Sequence, residues 1–237
     1  MPGEREKDTM SLYVIGDTHL SLGCDKPMDV FGGRWENYVE KLREGFASVR
    51  PEDTTVLCGD LSWGMNLPQA REDFLFLHRL PGRKVILKGN HDYWFETAAK
   101  LRRFFADNGI DSMELLHNNC CFYGDIALCG TRGWFYEEER GGEHDRKMLA
   151  RELLRLETSL KAAGDREKLV FLHYPPKLLN YECTEILDLM AAYGVRRCCY
   201  GHLHSAGRAL AFEGESRGIR FRLVSADHLH FIPLRLL

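Results

Sequence analysis

The chain has 237 residues, 44% of them hydrophobic, which is enough for a substantial buried core. Its formal charge of −3 and pI near 6.4 argue against extensive sequence-independent nucleic-acid binding, and no apolar run approaches bilayer-spanning length. The polar opening MPGEREKDTM lacks the apolar stretch of a secretory signal, and eight cysteines without a CxxC pair suit reduced thiols in a cytoplasmic protein rather than a disulfide framework or zinc knuckle. Cys58, Cys129, Cys198 and Cys199 lie in apolar, strand-like runs, whereas Cys24 and Cys183 sit in less regular surroundings where a reactive thiol is conceivable.

In chain order, SLYVIG (11–16), TTVLC (54–58) and KVILK (84–88) read as short strands covered on both faces and bounded by turn residues. Segments of helical period run over 35–49 and 68–80 between them, and a third helix is expected over 95–108, so the first half is a βαβ series. The pattern changes at NNCCFYGDIALCGTRGW (118–134), where two short strands flank a Gly124-Asp125 turn. A charged helix is predicted over 143–163, then the strand of KLVFLHYPP ending at His173, and a helix over 184–193. RRCCYGHLH follows, with further strands in RGIRFRLVSA and LHFIPLRLL. No linker, low-complexity tract or repeat interrupts the chain, so one layered α/β domain over residues 1–237, built on two sheets, is expected.

Five successive strand ends carry Asp, Asn or His: Gly16-Asp17-Thr18-His19, Gly59-Asp60, Gly89-Asn90-His91-Asp92, His173, and Gly201-His202-Leu203-His204. In a mainly parallel sheet such ends share one edge, the crevice where α/β proteins bind ligands. In Asp17-x-His19 and His202-x-His204, side chains two apart point to the same side of an extended chain and can converge on one centre. Mixed carboxylate, imidazole and amide donors suit divalent Mn, Fe, Zn or Co. The set is too large for one four-coordinate zinc and suits two metals about 3.5–4 Å apart.

The ordered blocks GDTH, GDLSW, GNHD, HYPP and GHLH, from residue 16 to 204, resemble the calcineurin-like metallophosphoesterase superfamily. The resemblance implies a four-layer α/β/β/α sandwich of two mixed β-sheets flanked by helices, holding two divalent metal ions. Position by position it implies that Asp17, His19 and His204 hold the first metal and that Asn90, His173 and His202 hold the second, with Asp60 bridging. His91 is then free of metal, able to stabilise charge on the scissile phosphate and to protonate the leaving oxygen as general acid. The implied reaction is phosphoric ester hydrolysis by in-line attack of a metal-bridging hydroxide, with no covalent phospho-enzyme. Asp92 is open between orienting His91 and capping the turn.

The protein Ser/Thr phosphatase branch would continue Asp-Arg-Gly after the second block and carry Glu after Asn-His. GDLSWGMN and GNHD depart from that, so the chain resembles bacterial phosphohydrolases instead, with phosphodiesters favoured over monoesters. Segment 25–35 is placed to form a pocket wall or lid, and segment 130–140 offers Arg132 for a phosphate and Trp134, Phe135 and Tyr136 for stacking on a nucleotide-like substrate. Tyr93 and Trp94 follow His91 directly; for all these aromatics ordinary loop packing is an equal reading. DHLH (227–230) reads as a decoy in a closing strand, and His78, His117 and His144 as surface histidines. The alternative function is a non-catalytic metal-binding scaffold, which would have no need of the full ligand set with His91. A helical HD-type phosphohydrolase is disfavoured because His91-Asp92 follows a strand and a glycine turn.

Overall fold

Three four-residue strands, β1 (Leu12–Ile15), β2 (Thr54–Leu57) and β3 (Arg83–Ile86), lie parallel in the computed structural model, which describes residues 10–135 and 142–237. Helices α1 (Tyr38–Gly45), α2 (Leu67–Arg79) and α3 (Ala98–Asp107) separate and follow them, and β4 (Met113–Leu115) adds a fourth parallel strand beside β3. The second sheet begins with the hairpin β5 (Cys121–Tyr123) and β6 (Ile126–Thr131) around Gly124-Asp125. After α4 (Glu143–Ala162) come β7 (Glu167–Leu172), α5 (Thr184–Ala192), β8 (Arg197–Tyr200), β9 (Gly214–Ser216) and β10 (Ile219–Leu223). Its order is β5-β6-β7-β8-β10-β9, parallel from β6 to β10 with an antiparallel strand at each edge. The last strand, β11 (Leu234–Arg235), returns antiparallel to β1, so both sheets are mixed.

Alternating burial explains the layers. Tyr13, Ile15, Leu57 and Ile86 face one way and pack with Leu42, Phe74, Leu77, Leu101 and Phe105 of the three first helices. Their neighbours Leu12, Val14, Val56 and Val85 face the other way and meet Leu128, Leu169, Phe171 and Cys199 of the second sheet. On that sheet's far face Val170, Leu172, Cys198 and Tyr200 pack with Leu156 and Leu160 of α4 and Ile186 and Met190 of α5. Strands buried on both faces read as unbroken apolar runs for this reason. The result is the expected helix–sheet–sheet–helix sandwich.

Several boundaries differ from the sequence reading. The first helix is confined to Tyr38–Gly45 because Asn37 adopts φ 54° before it, with 3-10 turns at Gly33–Trp35 and Phe46–Ser48. α3 begins only after Thr97, whose hydroxyl caps it by accepting from Lys100 N at 3.2 Å. LHFIPLRLL is not a continuous strand: His230 and Phe231 turn the chain at φ 54° and 63°, and only Leu234–Arg235 pairs. All eight cysteines are free; burial lifts Cys183 to about 11 and raises Cys24, so neither is poised as a thiolate. Among the described residues no helix is long and apolar enough to cross a membrane.

The two sheets are stitched together where their parallel strands end. Gly16 N donates to Val224 O at 2.7 Å, Ala226 N returns a bond to Gly16 O at 2.9 Å, and His173 Nδ1 lies 3.0 Å from Cys58 O. This gathers the C-terminal ends of both sheets at one edge. The close packing gives a test of the fold at Gly130, which lies in register with Phe171 across β6 and β7. A Cβ there would collide with the Phe171 carbonyl oxygen and lie 3.1 Å from Leu116 Cδ2. Gly130→Val is expected to cost about 1–3 kcal/mol, read as a lower urea midpoint at unchanged slope.

Candidate metal centre

The polar residues that leave β1, β2 and β8 do so on unusual backbone. Asp17, His19, Asp60 and His202 have φ of 55°, 46°, 52° and 71°, a region costing an L-residue about 1–2 kcal/mol. Extended-chain alternation therefore does not bring Asp17 and His19 together, as the spacing suggested; left-handed turns do. Cross-strand bonds hold them: Asp17 N to Gly59 O and His19 N to Asp60 O, both 2.9 Å. His202 N donates to both carboxylate oxygens of Asp17, at 2.9 and 3.0 Å. Gly201 permits this approach, since a Cβ there would lie 2.5 Å from Asp17 Oδ2.

Two donor groups result, each with ligand atoms within 4.8 Å of one another: Asp17 with His19 and Asp60, and Asp60 with His173 and His202. Asp60 belongs to both. Asn90 Oδ1 joins the second group, 2.6 Å from His173 Nε2 and 3.0 Å from His202 Nδ1. His173 Nδ1 lies 3.0 Å from the Cys58 carbonyl, so it donates there and its Nε2 lone pair faces the group. His204 stands at the margin: its ring meets His19 edge-on at 5.2 Å, and it is in neither group.

These residues fit divalent cations. Both ring nitrogens of His19 and Oδ2 of Asp60 are buried without a hydrogen-bond partner, and His173 Nε2 is 3.5 Å from that same Oδ2. Orphaned buried polar atoms are costly, and a cation between them would satisfy Asp60 Oδ2 and the unprotonated ring nitrogens of His19 and His173. The electrostatics agree. Burial, then the charge of Asp60, pushes the Asp17 carboxyl well up, and burial lifts Asp60 to about 6. Burial also holds His19 well below the usual imidazole range, His173 down to about 3 and His202 to about 2.

Asp92 is a member of neither group, and its structural role resolves the choice left open above. Its Oδ2 accepts from Gly89 N at 2.7 Å and Asp60 N at 2.8 Å, and its Oδ1 from Leu61 N at 2.8 Å, Ser62 N at 3.4 Å and Trp94 Nε1 at 3.0 Å. It caps the glycine turn and braces the neighbouring loop, with no bond to the His91 ring. His91 N donates to Asp60 Oδ1 at 2.8 Å, while its ring tilts against Trp63 at 4.7 Å and reaches the Tyr93 hydroxyl at 3.4 Å from Nδ1.

Trp63, unremarked beyond its motif, also stacks on His19 at 4.9 Å and 20°. Segment 25–35 contributes a wall through Trp35, whose ring meets His19 at 5.9 Å and His204 at 6.1 Å. Beside the second group, Phe135 lies 5.5 Å from the His202 ring, and Arg132 lies over Trp134 at 5.0 Å. Residues 136–140 of segment 130–140, Tyr136 among them, lie outside the described residues. Trp94 is core, tied to Asp92. His144 is exposed, but His78 is half-buried against Ser112 Oγ at 2.9 Å and His117 is half-buried against Phe95, so neither is a free surface histidine. DHLH forms a turn rather than a closing strand; Asp227 is buried, accepts from Ser205 N at 2.8 Å, and lies in neither donor group.

The chain belongs to the calcineurin-like phosphoesterase family, which it matches over residues 10–206. The family typically uses a dinuclear divalent metal centre, and membership makes this chain a metal-dependent phosphoric ester hydrolase. No curated protein matches it. Among solved structures it is similar to phosphopantetheinyl hydrolase (PptH) from Mycobacterium tuberculosis, with TM-score 0.62 and 13% identity over 97% of this chain and 96% of that one. It is also similar to protein AQ665 of unknown function from Aquifex aeolicus, with TM-score 0.50 and 18% identity over 96% of each chain. At these identities the likeness shows a shared fold.

Two measurements follow. Asp92→Asn leaves one oxygen and turns an NH₂ toward backbone donors, so it is expected to cost about 2–4 kcal/mol in denaturant unfolding. Titration with Mn²⁺ tests the carboxylates. Asp60, raised to about 6, is largely protonated below that pH, and a cation must displace the proton; the imidazoles, held neutral, release none. Affinity should therefore climb between pH 5 and 7, by at most about tenfold per unit for each proton, with buffer-dependent heats reporting proton release. A pH-independent affinity would contradict this account.

Proposed function

We propose that the chain hydrolyses phosphodiesters in preference to monoesters, using two divalent ions held by Asp17, His19 and His204 on one side, Asn90, His173 and His202 on the other, and Asp60 between. The observation that carries this reading is Asp60 itself: one oxygen is fixed by the His91 amide, and the other is buried, unpartnered and shared by both donor groups. The all-oxygen-and-nitrogen donor set suits Mn, Fe, Zn or Co, and the free cysteines suit a reducing cytoplasm.

When bound, the ions supply positive charge against phosphoryl oxygens and acidify a water to the working pH range. The rest falls to the chain. Asp60 and the imidazoles set the spacing of the reacting centre, and the Gly59 and Gly89 turns bring backbone close to it. His91 stands outside both groups, with its backbone tied to Asp60 and its ring held between Trp63 and Tyr93, where it can pass a proton to the leaving oxygen. Each donor group has its own aromatic wall: Trp35 and Trp63 by the first, Tyr174 and Phe135 by the second. A non-catalytic metal-binding scaffold would fill the same donor groups but has no use for His91, which stands outside both.

The test compares bis(p-nitrophenyl) phosphate with p-nitrophenyl phosphate, with Mn²⁺ or chelator. Metal-dependent turnover with the diester preferred is expected, abolished in Asp60→Asn. His91→Gln should lower kcat by about 10²–10⁴ at unchanged metal content. The loss should be smaller for a nitrophenyl leaving group than for an alkyl one, because nitrophenolate departs without a proton. Equal losses for both leaving groups would remove His91 from the general-acid role, and a faster monoester would reverse the substrate preference.

A further inference from the structure

Beyond the ends of β3 and β6 lies a cavity of about 320 Å³, walled also by the start of α3 and one face of α4. Four cations line it: Lys88, Arg132, Arg151 and Arg155. The last two, with Met148, recur at helical spacing on the same face of α4. Lining acid is scarce, since Glu96 is engaged by Lys100.

Behind the wall, fully buried Glu152 accepts from the Thr131 hydroxyl, from Arg155 Nη1 at 2.7 Å and from Arg132 Nη2 at 3.4 Å. One carboxylate thus orients two guanidinium groups without neutralising both. Arg132 Nε is buried with no hydrogen-bond partner. Lys88 has no carboxylate partner among the described residues and only covers the Phe95 ring at 5.3 Å. A buried donor left open beside excess positive charge marks an anion site.

The cavity adjoins the centre through shared backbone. Lys88 precedes Asn90 by two residues, and the Arg132 carbonyl accepts from the amides of His173 at 3.1 Å and Tyr174 at 2.8 Å. We propose that it binds a second phosphoryl group of the substrate, so that preferred substrates carry a phosphate besides the one cleaved. This rests on the phosphoesterase reading above and narrows its substrate class to esters with two phosphoryl groups.

The test has two arms on the full chain. Chelator-treated protein is titrated calorimetrically with inorganic pyrophosphate, which is expected to bind with Kd raised tenfold or more in Arg151→Ala and in Lys88→Ala. Arg151 is exposed and makes no ion pair among the described residues, so its variant should retain the circular dichroism of the parent. In the second arm, Mn²⁺-loaded protein is given thymidine 5′-(p-nitrophenyl phosphate) with and without a 3′-phosphate. The kcat/KM ratio of the phosphorylated to the plain ester should be about tenfold or more and fall toward one in Arg151→Ala. Turnover of both esters at a ratio near one, with pyrophosphate binding unchanged in the variants, overturns the subsite and leaves the hydrolase reading standing. Variant-sensitive pyrophosphate binding without turnover of either ester supports the anion-binding cavity and overturns the diesterase reading of the centre beside it.

Discussion

A single carboxylate that contacts no proposed ligand atom holds the site in shape. Asp92 draws the amides of Gly89, Asp60, Leu61 and Ser62 around itself, pulling the ends of β2 and β3 together and anchoring them through Trp94 to the core. With its amide fixed, Asp60 keeps a left-handed backbone, gives one oxygen to His91 and leaves the other between the two donor groups. Burial and the neighbouring Asp60 charge push Asp92 up to about 7, so the clamp and the bridge sense each other's protonation. A cation beside Asp60 would favour the charged form of both.

The second dependence is the seam between the sheets. His173 and His202 come from one sheet, Asp17 and Asp60 from the other, and the backbone bonds of Gly16 with Val224 and Ala226 bring them face to face. His173 crosses the seam itself by donating to Cys58 O. Metal binding there would therefore also tie the two sheets together, in the same way that any ligand of the native state adds stability.

What could be read in advance follows the range of the interactions involved. Strands covered on both faces advertise themselves as apolar runs, and glycine punctuation marks where they stop, so the edge bearing Asp17, Asp60, Asn90, His173 and His202 was legible. β4, at three residues, is too short to show a period, and the early end of α1 depends on the backbone of Asn37. The donors to Asp92 lie up to 32 positions away, which no local pattern shows. Glu152 looks like part of a solvated charged helix, yet it is completely buried; its meaning appears only when Thr131, Arg132 and Arg155 are found around it. Likewise Trp63 was visible inside a motif, but its stacking on His19 was not.

The left-handed backbone at Asp17, His19, Asp60 and His202 has a consequence for evolution and engineering. Glycine or asparagine would fit each of these positions with less strain, but glycine would bring no donor and asparagine no charge or imidazole. Local folding preference and chemistry thus select different residues at the same four sites. The conflict is sharpest at His19, whose ring nitrogens hold no hydrogen bond: a library selected for stability alone would ease that backbone and empty part of the centre.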